Sequence, residues 1–138
     1  MKNKLINISI VAADFHKDLA DHMIKTAEKE LLKLGVNVVG VIRVPGSYEI
    51  PLAVQRIIKK GKADAIVVLA YIEKGQTLHG EVMGHVVHDV LVRLQLEHDT
   101  PMGLGIIGPG ATKSQAEKRK TNAAKAAVHA ALSSYQIN

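Results

Sequence analysis

Cysteine is absent from the sequence, so neither a disulfide nor a thiolate metal centre can form. That absence suits a reducing compartment. Aromatic side chains are scarce: Phe15, Tyr48, Tyr71 and Tyr135 are all there are, and tryptophan is missing. So few rings argue against a base-stacking surface for nucleic acid. No long apolar run occurs either. The first, residues 6–13, is interrupted by Asn7 and Ser9 and followed by Asp14, which makes it too short and too polar to span a membrane. Lys2 and Lys4 precede it, but no convincing cleavage site follows, so a secretory leader is not expected. The expectation is a soluble cytoplasmic protein. Gly103, Gly105, Gly108 and Gly110 do not reproduce the G-x-G-x-x-G spacing ahead of a helix in a first βα unit, which excludes the usual dinucleotide site.

What is present fits one globular domain spanning 1–138. The chain has 138 residues, 47% hydrophobic and 22% charged, enough for one core but not two. Its net charge of +5 would suit an anionic partner. The basic residues are spread over helical segments rather than clustered, which points to anionic small molecules and away from nucleic acid.

Periodicity alternates between strand and helix. Residues 5–12 alternate and are rich in β-branched side chains, a strand pattern. Asp18 is placed to cap a following helix whose Leu19, Met23, Ala27, Leu31 and Leu34 form one apolar stripe, ended by Gly35. A second strand, 36–44, breaks at Pro45-Gly46. Pro51 suits the first turn of the next helix, which stops at Lys59-Lys60-Gly61. Residues 65–71 form a continuous apolar run, the mark of a strand buried on both faces. A long helix is expected from His79, with Val82, Val86, Val90, Leu91 and Leu94 on one side. The last strand is 102–107, then the turn Gly108-Pro109-Gly110 and one or two alanine-rich helices. This β-α-β-α-β-α-β-α order predicts an α/β three-layer sandwich: a four-stranded parallel sheet with helices on both faces. No repeat, linker or domain boundary interrupts it. Ligands in such sheets bind beyond the carboxyl ends of the strands, here at 13–16, 44–49, 71–79 and 107–112.

The unusual residues collect at those ends. In Arg43-Val44-Pro45-Gly46-Ser47-Tyr48-Glu49-Ile50-Pro51 a rigid turn brings Ser47 and Glu49 to a helix start, either to cap the helix or to bind a ligand. In Gly75-Gln76-Thr77-Leu78-His79, a glycine and a hydroxyl at a helix opening suit a phosphate. His79 adds a group that titrates near neutral pH. Glu81, His85 and His88 share one helix face, but with no cysteine and no clear fourth ligand they read as a polar edge and not as a metal site. Lys113, Lys118, Arg119, Lys120 and Lys125 form either a solvated face or an anion site completed in an oligomer.

Together these segments resemble the lumazine synthase family, 6,7-dimethyl-8-ribityllumazine synthase, in order and spacing across nearly the whole chain, with an archaeal-like Gly108-Pro109-Gly110 turn. Residues 44–51 resemble that family's V-P-G-[AS]-[FY]-E-[IL]-P, residues 75–79 its G-x-T-x-H, and Gln115-Ala116 with Arg119 its Q-A-x-x-R. Lys125 matches its downstream lysine, and Phe15 its aromatic residue after the first strand. The chain departs from the family pattern at His16, where asparagine is frequent, and at Leu104, where phenylalanine is. The resemblance implies a transferase of riboflavin biosynthesis. It condenses 5-amino-6-(D-ribitylamino)uracil with 3,4-dihydroxy-2-butanone 4-phosphate to give 6,7-dimethyl-8-ribityllumazine, phosphate and water, with no cofactor and no metal. It assigns His79 to proton transfer. Phe15, Ser47, Tyr48, Glu49, Ile72, Gly75, Gln76, Thr77, Leu104, Arg119 and Lys125 bind the substrates. It also implies a cytoplasmic homo-oligomer, a pentamer alone or built into an icosahedral capsid, with sites shared between subunits. The alternatives on the same scaffold are the related archaeal-type riboflavin synthase and a non-catalytic flavin-binding or shell-forming protein.

Overall fold

The longest apolar runs take the middle of the sheet. In the computed structural model, which describes residues 5–138, β1 (Asn7–Ala13) and β3 (Ala65–Glu73) pair in parallel at its centre. Lys2 and Lys4 lie outside the described residues. β2 (Asn37–Val44) pairs outside β1, and β4 (Met102–Ala111) outside β3, giving the all-parallel order β2-β1-β3-β4. β3 is buried at every position before Glu73, as expected of a strand covered on both faces.

Helices cover both faces. α1 (Lys17–Lys33) and α4 (Lys113–Tyr135) enclose one core with Ile8, Ile10, Val67, Leu69 and Tyr71. α2 (Ile50–Lys60) and α3 (His79–His98) enclose the other with Val11, Ile66, Val68 and Ala70. The three-layer expectation is therefore met. α4 lies close on β4 because the strand has no side chains there: a Cβ on Gly103 would fall 1.7 Å from the Ala127 carbonyl oxygen. No helix among the described residues is long and apolar enough to cross a membrane.

Local signals explain most boundaries. α1 ends where Gly35 and Val36 donate back to Leu32 and Leu31, with Gly35 at φ +73°. Its start differs from expectation: His16 is the N-cap, without a side-chain cap bond, and Asp18 lies inside the first turn, where its charge favours the helix dipole. A single helix closes the chain. It begins at a reciprocal cap in which the Gln115 backbone N–H donates to Thr112 Oγ1 at 3.2 Å and the Thr112 N–H donates to Gln115 Oε1 at 2.9 Å. On α3 the apolar residues form two stripes. Val87, Leu91 and Leu94 are buried, whereas Val82 and Val86 are exposed, so the five-residue side expected from sequence divides.

Candidate active site

α1 follows β1 toward β2, whereas α3 follows β3 toward β4, so the chain diverges beyond the carboxyl ends of β1 and β3. A crevice opens at such a switch point. Here it holds a cavity of about 380 Å³ lined by Phe15 from the β1–α1 loop, Ser47 from the β2–α2 turn, and Gly75, Thr77 and His79 from the β3–α3 loop. Segments distant in sequence thus meet in one hollow. The Tyr48 and His79 rings stand edge to face, 6.1 Å between centroids.

Each loop presents its group for a local reason. The turn after β2 coils into a short 3-10 helix, Ser47–Glu49. Neither Ser47 nor Glu49 caps a helix with its side chain, so the capping explanation for these residues fails. Ser47 is buried against the cavity, Tyr48 is half exposed, and Glu49 Oε1 folds back to 3.2 Å from where a Gly46 Cβ would stand. In the next loop a Cβ on Gly75 would meet only the Thr77 nitrogen, at 3.9 Å, leaving open space above the backbone. Thr77 Oγ1 accepts from the His79 N–H at 3.3 Å. The first N–H groups of a helix lack acceptors within it, so the start of α3 suits an anion. Gly80 is required by packing, since a Cβ would lie 2.9 Å from the Glu73 carbonyl oxygen. Gln76 lines an adjoining hollow with Lys74, Gly75 and Thr77.

Arg119 stands elsewhere. It lines a separate cavity of about 520 Å³ over the end of β4, with Gln115, Ile106 and residues 107–111. The reciprocal cap at Thr112 fixes α4, and Arg119 projects one turn beyond Gln115. Leu104 is half buried on the opposite, α3-facing side of β4. Lys125 is exposed and lies near enough to Glu30 of α1 to favour its charged form. Six residues after Arg119, it is turned by about 120° around the helix. One chain therefore gathers Phe15, Ser47, Tyr48, Ile72, Gly75, Thr77 and His79, with Gln76 adjoining. It does not bring Leu104, Arg119 or Lys125 to them.

Residues 5–138 match the model of the family described as 6,7-dimethyl-8-ribityllumazine synthase. Relatives bearing that name are similar over most of their length. The one from Methanococcus vannielii is 40% identical over 93% of this chain and 91% of its own. That from Saccharolobus solfataricus is 39% identical over 96% of this chain and 86% of its own, and that from Staphylothermus marinus 38% over 91% and 84%. This chain belongs to the 6,7-dimethyl-8-ribityllumazine synthase family.

On this lumazine synthase scaffold five further residues line the crevice: Gly46, Tyr71 and Glu73 fall within the strand ends expected to bind a ligand, without a role assigned there, and Gly80 and Met83 fall outside them. Glu73 had a usable signal, being the first charge after the apolar run of β3. Tyr71 donates its hydroxyl to the Ala111 carbonyl oxygen at 2.9 Å, and burial pushes its titration up, with Glu73 adding to the effect. His16 packs on Tyr71 at 4.6 Å between ring centroids, with its Nε2 buried and unpartnered among the described residues. Burial lowers the His16 pKa; Glu73 raises it and Lys113 lowers it further. The helix face with Glu81, His85 and His88 shows only a 3.9 Å contact between His85 and Glu81. Among the described residues no group of three or more potential ligands is placed to hold a metal ion.

Proposed function

We propose that the protein is a cytoplasmic lumazine synthase of riboflavin biosynthesis. It joins 5-amino-6-(D-ribitylamino)uracil to 3,4-dihydroxy-2-butanone 4-phosphate and releases 6,7-dimethyl-8-ribityllumazine, phosphate and water. The observation that carries this reading is the convergence of Phe15, the Ser47 turn and the Thr77–His79 helix start on one crevice, with the Tyr48 and His79 rings 6.1 Å apart. Phe15 stacks on the flat pyrimidine. Ser47, Tyr48 and Glu49 hold the ribityl chain, and Ile72 forms the apolar floor. Gly75, Gln76, Thr77 and the free N–H groups of α3 take the phosphate. His79 moves protons during imine formation, phosphate elimination and ring closure. The pyrimidine supplies the nucleophilic amine and the sugar phosphate its own leaving group, so much of the acceleration comes from holding the two together.

The phosphate needs a fixed cation as well; the crevice itself is lined by no lysine or arginine, and Lys74 stands in the adjoining hollow with Gln76. Arg119, suited to a bidentate grip, lies in the second cavity. The reading therefore includes a pentamer in which Leu104, Arg119 and, more remotely, Lys125 come from the neighbouring subunit. The pentamer stands alone or forms part of an icosahedral shell.

The test is to mix purified protein with both substrates and follow lumazine fluorescence and phosphate release, with and without a chelator. Product should form equally in both. Folded protein that yields none overturns the reading. Riboflavin formed from lumazine alone would mark the related riboflavin synthase, and binding without turnover would mark a silent scaffold.

A further inference from the structure

Phe15 is 77% exposed, and among the described residues the only ring it meets is the neighbouring His16, at 5.1 Å. So exposed a ring depends for its position on the loop that carries it. That loop is pinned on both sides. On one side His16 packs on Tyr71. On the other, Asp14 donates its backbone N–H to the Val44 carbonyl oxygen at 2.7 Å. Arg43 Nε donates to both Asp14 carboxylate oxygens, at 2.9 and 3.0 Å. The same guanidinium donates through Nη2 to Asp21 in α1, which Lys17 also holds at 3.1 Å. Arg43 thus ties the end of β1 and the first helix to the strand that leads directly into Pro45, Gly46 and Ser47.

We propose that Arg43 is a positioning residue for the pyrimidine: gripping Asp14, it holds the β1–α1 loop against the Ser47 turn and so fixes Phe15 over the cavity. A planar fork gripping one carboxylate while reaching a second restricts orientation, which a lysine cannot do. Hydrogen bonds from Arg43 and then Lys17 hold the Asp21 carboxyl below its ordinary range, and hydrogen bonds to Asp21 and then Asp14 hold the Arg43 guanidinium above its own. Among the described residues no hydrogen bond or ion pair joins this cluster to Gly75–Thr77, where the sugar phosphate is placed, so the effect falls on one substrate. The inference rests on the assignment of Phe15 to the pyrimidine.

Steady-state kinetics of Arg43→Ala, Asp14→Asn, Arg43→Lys, Phe15→Ala and the double variant Arg43→Ala/Phe15→Ala test it. Arg43→Ala and Asp14→Asn should each raise the pyrimidine KM about tenfold, with kcat and the sugar phosphate KM nearly unchanged. Arg43→Lys should be intermediate. Arg43→Ala should add nothing once Phe15 is gone, because residues acting as a unit are not additive. A purely structural Arg43 would lower thermal stability without splitting the two KM values. Asp14→Asn keeps the side chain's shape and an acceptor oxygen, so it guards against misfolding of the alanine variant. Equal effects on both KM values, or additivity with Phe15→Ala, overturn the proposal. A normal pyrimidine KM in Phe15→Ala overturns it together with the Phe15 assignment, while lumazine formation by the unmodified protein keeps the reaction itself.

Discussion

The crevice at β1 and β3 and the hollow over β4 are close in size, about 380 and 520 Å³, but opposite in chemistry. The first is lined by an imidazole, a carboxylate and two hydroxyl side chains besides Tyr71, and by no lysine or arginine. The second has Arg119 and an amide, and neither a histidine nor a carboxylate. Condensation with loss of phosphate needs proton transfer and a fixed cation in the same place. Apart from Lys74 in the hollow adjoining the crevice, the chain carries the two on different sides of the sheet's carboxyl end. In a cyclic oligomer with head-to-tail contacts, two unlike patches of one chain face each other across every interface. The division of labour between the cavities is therefore what the proposed shared site requires.

The largest break in that comparison is expected at the proton-transferring half. His79→Ala should lower kcat by roughly 10²–10⁴-fold with both substrates saturating, since general acid–base groups contribute on that scale. Activity should stay above the uncatalysed rate because positioning survives. His85→Ala and His88→Ala should change little. If they cost more than His79→Ala, the helix face is a functional site and the crevice assignment is wrong.

The cationic half should fail differently. Arg119→Ala should raise the sugar phosphate KM roughly 10- to 100-fold, the equivalent of one lost charged hydrogen-bonding partner, and leave the pyrimidine KM alone. Lys125→Ala should do less, because that residue is exposed and turned by about 120° from Arg119 around the helix. Equal changes in both KM values would detach Arg119 from the phosphate.

Joining the halves gives the third test. His79→Ala and Arg119→Ala proteins are dissociated, mixed one to one and reassembled. If each site takes His79 from one chain and Arg119 from its neighbour, about a quarter of the interfaces receive both intact halves. Activity should recover in that proportion. Mixed oligomers that stay as inactive as the parents would reject sharing.

How much of this could be read from the chain depends on range. The burial of β3 on both faces, the stop at Gly35 and the helix start at His79 follow from local pattern, and the structure agrees. The two motif loops were legible because each sits at the end of an apolar strand. Asp18 was misread as a cap because only backbone geometry separates the N-cap from the first turn. Thr112 and Gln115 carry a cap signature in the sequence, and Gln115 belongs to the Q-A-x-x-R motif as well. The split of the α3 stripe, with Val82 and Val86 exposed, was illegible: periodicity marks apolar faces but not what covers them. The Arg43–Asp14–Asp21 cluster joins three elements and has no sequence signature.

The smallest effect separates the two regions by pH. His16 lies beside the crevice, and His22 on α1 bonds through Nε2 to Thr121 of α4 at 2.8 Å, two residues beyond Arg119. Both are lowered from the ordinary value of 6.5, chiefly by burial. For His16, Glu73 opposes the shift and Lys113 adds to it; for His22, Lys120 and Lys29 add and Glu117 opposes. A lowered native value means that, just below pH 6.5, the unfolded chain binds protons that the folded chain does not. Stability must then rise with pH through that window and level off above it, where both states are neutral. Asp21, Glu30 and Glu117 have lowered carboxyl values, so their contributions are lost only as pH falls below about 4.5, outside the histidine window. Thermal unfolding at fixed protein concentration between about pH 5 and 7 isolates the histidines. His22→Gln and His16→Asn should each remove part of the rise, and together most of it. The His16 variant should also disturb pyrimidine binding, because its ring is the second anchor of the Phe15 loop, whereas the His22 variant should not. A pH slope untouched by either change would mean that neither imidazole is kept neutral by the fold.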